Sequence, residues 1–349
     1  MKPWLRSLGA TWRVRALHRR HRSQAGKALA GLARDGRGLS AADARACAAY
    51  AADVLGDPAY APWLRVYAAF AGGFRPGWIP DNYYRLVVLP RLKGAYGEVA
   101  DCRALARTLF PTDAMPDVAY LVNGVVWTAD KAPLWPAAAA DLLAAAAPLL
   151  FKPDASQQGI GHVHLDADAL RAGVLGRLGN GVIQRLIVQH ADLAAFSPAV
   201  ATLRVTSVVT DAGAVEVRAA YLRLGRMADR HVMARSNLRV ALDLADGRFA
   251  AEGLLPDLTA VRAHPDSGVR FAGARVPGFG RCLDLVRRLH ALTPFARVIG
   301  WDLAVDRDGA PRVMEWNGGH NDIKFSEAAT GPCFAGLGWE RLWREGPPA

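Results

Sequence analysis

Through the first seventy residues apolar positions recur at three- and four-residue spacing among Ala, Leu, Arg and Trp. This predicts helices over 41–55 and 62–70, punctuated by Gly36, Gly38 and Asp57-Pro58. Trp4, Leu8 and Trp12 form a four-residue stripe beside Arg6, Arg13 and Arg15, the pattern of a basic amphipathic helix. Beyond the breakers Gly72-Gly73, Pro76-Gly77 and Pro80, further helical segments are expected from Asn82 to Pro90 and from Glu98 to Phe110. The period then switches. Residues 118–128 read as two short β-rich runs around Asn123-Gly124, the strongest short hairpin signal. A helix over 136–147 and a strand over 149–152 follow. Strands are expected over 162–165, 182–188, 202–210, 214–224, 297–305 and 311–316, with a helix over 281–292. No internal repeat of 20–50 residues is present.

At 349 residues with 52% hydrophobic content the chain can bury more than one core, which excludes disorder and fibrous repeats for the whole. Its longest apolar run, 137–151, is alanine-rich and broken by Asp141 and Pro148, too weak to span a bilayer. Cys47, Cys102, Cys282 and Cys333 are scattered, without metal-ligand spacing, so neither a disulfide framework nor structural zinc is expected and a reducing, cytoplasmic setting is. The net charge of +11 asks for an acidic partner, and arginine supplies 37 of the 43 basic residues. No nucleic-acid recognition motif appears, and the basic N-terminal helix is expected to pack on the body, with peripheral contact at the inner membrane face as the other reading.

Two stretches carry chemistry. A strand ending in Lys152 turns at Pro153 into the polar loop 154–161, with Ser156, Gly159 and Gly161, before a further strand. Glycine-released N–H groups and a compact ammonium suit polyphosphate, although this is neither of the standard phosphate-loop motifs. Later, Gly300-Trp301-Asp302 and Met314-Glu315-Trp316-Asn317 flank an Asp308-Gly309 turn. In antiparallel pairing Asp302 and Glu315 face each other and Asn317 shares the face of Glu315, three oxygen donors suited to Mg²⁺.

Taken in order, FKPDASQQGIG, VIQRLIVQH, ATLRVTSV, HPDSGVRF, GWDLAV and MEWNG resemble the ATP-grasp superfamily, in its sugar-transfer-associated, α-L-glutamate-ligase-related branch, from about Pro80 to Asn317. The resemblance implies an α+β fold of two lobes sandwiching ATP: a helical N-terminal extension over 1–80, a smaller lobe with hairpin and phosphate loop over 81–183, and a C-terminal lobe with the metal site over 184–349. It implies that Lys152 holds the α- and β-phosphates with Ser156, Gly159 and Gly161. Gln184, Arg185 and Leu186, with His190 beside them, would line the adenine side. Arg204 would steady the γ-phosphate or acyl phosphate, and Asp302, Glu315 and Asn317 would bind magnesium. Lys324, just past the metal strand in His320-Asn321-Asp322-Ile323-Lys324, could reach an acceptor carboxylate. The family's second ATP lysine has no counterpart: the matching place reads Asp101-Cys102-Arg103, leaving Arg103, Lys93 or Lys131 to substitute. The acceptor-region glycine pair is changed to Arg235-Ser236-Asn237-Leu238.

The activity implied is an ATP- and Mg²⁺-dependent ligase that makes an acyl phosphate and joins it to an amine or similar nucleophile. Its substrates would be small or glycan-linked, with a place in polysaccharide or secondary-metabolite biosynthesis. Two alternatives stand beside it: a kinase using the same ATP site on a hydroxyl, and a degenerate nucleotide fold that docks on an anionic surface.

Overall fold

Strong helix formers fill the first thirty positions, and the computed structural model shows one helix, α1, over Pro3–Arg34. The structure describes residues 3–346 apart from 155, 157–159, 230–231 and 233–235, with the side chains of 3–11, 136 and 137 also outside the described set. Gly159 of the expected phosphate loop, Arg235, and the side chains of Trp4 and Leu8 therefore lie outside the described residues; Trp12 is exposed. Helix α2, Ala41–Ala49, begins at Ser40, whose hydroxyl accepts the Asp43 N–H at 3.0 Å, and continues as a π turn over Tyr50–Val54. Helix α3, Ala61–Ala71, ends at Gly72 in the left-handed conformation, with φ 73°. A further helical stretch runs through Asp81–Tyr83, Tyr84–Val88 and Leu89–Leu92. Its Tyr83, Tyr84, Val88 and Leu92 share one core with Leu64, Tyr67 and Trp78. The helical layer thus extends past the expected boundary at residue 80, because these side chains pack with α1 and α3.

Thirteen strands follow among the described residues, in two antiparallel sheets. The first sheet contains β1 (Asp117–Val122), β2 (Val125–Thr128), β3 (Pro133–Leu134), β4 (Leu149–Pro153), β5 (Val163–Leu165) and β6 (Gly181–Arg185), in spatial order β3-β2-β1-β6-β4-β5. The Asn123-Gly124 hairpin forms as expected, both residues at positive φ, and helix Pro136–Ala146 covers the sheet. The second sheet contains β7 (Thr202–Val209), β8 (Val215–Leu224), β9 (Leu238–Leu242), β10 (Phe249–Leu254), β11 (Ala260–Val261), β12 (Val298–Val305) and β13 (Pro311–Asn317), in order β11-β10-β9-β8-β7-β12-β13. The boundary expected between residues 183 and 184 falls inside β6, which pairs with both β1 and β4.

Alternation along the long strands gives the large sheet two differently dressed faces. Ile299, Trp301, Leu303 and Val305 of β12 join the core beneath helix Phe279–Ala291. Val208, Ala219 and Val298 point the other way, into the core of the N-terminal helices. Arg204 and Asp302 share that second face. The helix expected over 98–110 is instead two 3₁₀ segments, Gly94–Asp101 and Arg103–Leu105, and a short α turn, Ala106–Leu109. The cause is a close backbone approach: a Cβ at Gly97 would collide with the Gly318 carbonyl, so the chain presses flat against the segment after β13. The four cysteines are free, and among the described residues no helix is long and apolar enough to cross a membrane.

Candidate active site between the two sheets

A narrow crevice of about 20 Å³ lies between the small sheet and the last strand of the large one, lined by Arg103, Asp117, Val182, Gln184, Met314 and Glu315 among others. From the small sheet, Asp117 and Gln184 are direct cross-strand partners in β1 and β6. Gln184 Nε2 donates to Asp117 Oδ1 at 2.8 Å and the Tyr120 hydroxyl donates to Oδ2 at 3.0 Å. Burial pushes the Asp117 carboxyl above the usual carboxylate range, against those two hydrogen bonds and the charge of Lys152.

Lys152, on β4, is buried and its Nζ donates to the Met314 carbonyl at 3.3 Å, which bolts the small sheet to β13. Burial drives its ammonium down to about 8, with Glu315 opposing and Arg103 reinforcing the fall. The break at Cys102 frees the Arg103 N–H to donate to Asp154 Oδ1 at 2.9 Å. The Arg103 guanidinium then forks three ways: Nε to the Pro153 carbonyl at 2.9 Å, Nη2 to the Ser156 carbonyl at 2.9 Å, and Nη1 to Glu315 Oε2 at 3.1 Å. Of the three substitutes for the absent lysine, Arg103 is the one at the crevice. Lys93 is buried against the Gly319 carbonyl and Asn321, and Lys131 sits in the turn before β3.

On the adjoining face of the large sheet, Asp302 stands opposite Arg204 on one side and Glu315 on the other. Arg204 grips Asp302 through Nε at 2.5 Å and Nη2 at 3.0 Å, and Arg223 of β8 adds Nη2 at 2.6 Å. Burial alone would raise the Asp302 carboxyl, but the two arginines outweigh it and hold it well below the usual range. The Nε of Arg223 is buried without a partner among the described residues. Asn317 Nδ2 donates to the Gly300 carbonyl at 3.0 Å, and its Oδ1 has no hydrogen-bond partner among the described residues.

The donor set fits magnesium chemically. Glu315 and Asn317 offer hard oxygens on one face, and Asp302 lies beside them with both oxygens engaged by arginine. Among the described residues no group of three or more His, Cys, Asp and Glu side chains is arranged around a metal position, so phosphate oxygens and water would complete the shell.

Of the residues expected from sequence, Lys152, Ser156, Gln184, Arg204, Asp302, Glu315 and Asn317 come together here. Gly161, at φ 78°, supports the loop by packing on Pro153. Arg185 and Leu186 are exposed just beyond the crevice. His190 faces elsewhere: its ring caps a short helix by accepting the Asp192 N–H at 3.2 Å. Lys324 is held between Asp81 Oδ2 at 3.1 Å and Asp322 Oδ1 at 2.8 Å. Asp117 and Arg223 were not anticipated. Arg223 lies two residues from Tyr221 on the inward face of β8, a period-two signal that the sequence does contain.

Comparison with known proteins meets this geometry from outside. Residues 172–337 match the family described as sugar-transfer associated ATP-grasp. Over these residues the chain is similar to that ATP-grasp family. The match takes in β7 with Arg204, Asp302 and the Glu315–Asn317 segment, and the loop after Lys152 precedes it. Among solved structures the chain is similar to a biotin carboxylase–β,γ-ATP complex from Campylobacter jejuni, at 11% identity, TM-score 0.44, over 71% of this chain and 46% of that one. It is similar to N5-carboxyaminoimidazole synthase from Aspergillus clavatus with ADP and 5-aminoimidazole ribonucleotide, at 11% identity, TM-score 0.42, over 71% and 52%. It is also similar to the ATP-grasp ligase PsnB with its minimal precursor, at 16% identity, TM-score 0.40, over 73% and 63%. The chain spans about half the length of the first of these matches. No curated protein sequence matches it.

Proposed function

We propose that this protein is an ATP-grasp ligase, dependent on ATP and magnesium, that activates a carboxylate as an acyl phosphate and joins it to an amine. The observation that carries the reading is the convergence of Lys152, Arg103 and Glu315 on one crevice, with the Arg204–Asp302–Arg223 cluster on the adjoining face. Two fixed cations beside two carboxylates suit a polyphosphate that arrives with its own divalent ion. Lys152 and Arg103 would hold the α- and β-phosphates, since Lys152 reaches β13 and Arg103 bridges the loop and β13. Glu315 and Asn317 would hold magnesium, which neutralises charge building on the transferred phosphoryl group. The substrate carboxylate oxygen attacks the γ-phosphorus as the bond to the ADP oxygen breaks. Arg204, fixed by Asp302, then steadies the acyl phosphate while the amine nitrogen attacks its carbonyl carbon and inorganic phosphate departs. Positioning and charge compensation supply the rate enhancement. Small or glycan-linked carboxylate and amine substrates and a role in polysaccharide assembly belong to this proposal, as does peripheral membrane contact through the basic helix.

The test is phosphate and ADP release from Mg·ATP with pooled amino-acid and uronic-acid carboxylates, trapping acyl phosphate with hydroxylamine. Hydroxamate that disappears in Lys152→Ala and Glu315→Ala supports the ligase. A stable phosphoester without free phosphate makes the protein a kinase.

A further inference from the structure

Away from the phosphate crevice, a second cluster of ionisable groups joins the N-terminal helices to the segment following β13. Its centre is Asp81, at the start of the helical stretch ending at Leu92, with only 2% of its surface exposed. His320 Nε2 bonds Asp81 Oδ1 at 3.0 Å and Lys324 Nζ bonds Oδ2 at 3.1 Å. Burial opposes ionisation of Asp81, but Lys324 and His320 outweigh it and keep its carboxyl down at about 2. His320 differs from its partner in being open: a quarter of its side chain faces solvent, and Nδ1 has no hydrogen-bond partner among the described residues.

The cluster lies beside the reaction face. His320 is three residues beyond Asn317, and the intervening glycines let the backbone pack on Gly97. The next residue, Asn321, sits directly over Gly300, which pairs with Asn317 and stands two positions from Asp302. Tyr84, whose hydroxyl donates to Asn321, presents its ring edgewise to His320 at 5.9 Å. A buried carboxylate fixing one ring nitrogen and leaving the partly exposed ring's other nitrogen free is the arrangement of an oriented base.

We propose that His320 is the general base for the amine in the second half-reaction, with Asp81 and Lys324 as its positioning residues. The inference rests on the ligase reading. The Asp81 carboxylate accepts the Nε2 proton, so the lone pair lies at Nδ1. Nδ1 takes one proton from the bound alkylammonium, freeing the nitrogen lone pair for attack, and the second proton passes to the departing phosphate as the C–N bond forms. The carbon–oxygen bond to the phosphoryl group breaks, phosphate leaves with the electron pair, and His320 returns its proton to solvent. The groups facing the ring are Asp81, Lys324 and Asp322, with His21 of α1 behind Asp81 at 3.8 Å and Tyr84 at its edge.

Hydroxylamine supplies the probe, because it is largely unprotonated at neutral pH whereas an ordinary alkylamine is protonated. Wild type and His320→Gln are given Mg·ATP, the pooled carboxylates, and either hydroxylamine or a panel of primary alkylamines, and the ratio of amide to hydroxamate is measured. The expected result is a ratio lowered about 100-fold in His320→Gln and about tenfold in Asp81→Asn, with loss of the acid limb of the wild-type pH profile for amide formation alone. An unchanged ratio, or an acid limb shared equally by both products in wild type, overturns the base; the second readout needs no variant to fold. No hydroxamate from wild type with any carboxylate overturns the ligase reading, and the base with it.

Discussion

Replacing Arg103 by alanine removes a side chain that touches both the loop after β4 and β13. The guanidinium is 11% exposed and makes two charge-assisted bonds to loop carbonyls at 2.9 Å and an ion pair to Glu315 at 3.1 Å. In the free protein that pair is muted, because Glu315 is 30% exposed and solvent screens it. Toward bound nucleotide the loss is larger. A cation about 4 Å from a phosphate oxygen contributes about 4 kcal/mol at an effective dielectric constant of about 20. Release of Glu315 from its arginine and relaxation of the loop return roughly half. A net 1.5–3 kcal/mol is expected, which weakens Mg·ADP about 10- to 150-fold. Arg103→Lys, keeping the charge but not the fork, should lose about tenfold or less. Isothermal titration of Mg·ADP into wild type and both variants measures this directly. A folded Arg103→Ala protein binding within about twofold of wild type would refute the idea that arginine stands in for the absent lysine.

The remaining predictions concern buried charge. Glu327 is fully buried, its oxygens taking the Ile79 and Cys333 N–H groups at 2.7 and 2.8 Å, and burial raises its carboxyl from 4.5 to about 8. The folded state therefore grips the proton more tightly than the unfolded chain, so this stabilisation is complete below about pH 4.5 and lost as pH climbs toward 8. The unfolding-midpoint difference between Glu327→Gln and wild type should grow in the variant's favour from pH 5 to 8, and a flat difference refutes it. Asp302→Asn leaves Arg204 buried without its counter-charge and should cost about 3–5 kcal/mol in urea unfolding; a loss under about 1 kcal/mol would contradict the ion-pair account. Lys152→Met removes a desolvated ammonium and should leave the melting temperature unchanged or raised while nucleotide binding disappears, whereas a marked fall in melting temperature would mean that Lys152 is chiefly structural.

The long strands were legible because their alternation is strong. β7, β8, β12 and β13 appear within two residues of expectation, and the Asp302–Glu315 pairing follows from the turn between them. β9 and β10 were overlooked because alanine and glycine dilute FAAEGL and hide its period, although Asp246-Gly247 between them is itself a hairpin signal. The broken 98–110 segment was illegible in principle from local propensity, since its shape is set by contact with Gly318, far along the chain. Lys152 and Glu315, which meet at the crevice, were readable as candidates from motif order. Their arginine partners Arg103 and Arg223, and the Asp81–His320 pairing, depend on long-range packing that no local window contains.

The central claim is that the crevice between the sheets binds a magnesium nucleotide through Lys152 and Glu315. Thermal unfolding of wild type, Lys152→Met and Glu315→Ala with and without Mg·ADP tests it without knowledge of either substrate. At a concentration of about 100 Kd, linkage predicts about 2.7 kcal/mol of stabilisation in wild type, a rise of several degrees that requires magnesium and vanishes in both variants. No magnesium-dependent rise in a wild-type protein that unfolds cooperatively, or an equal rise in all three, would contradict the account.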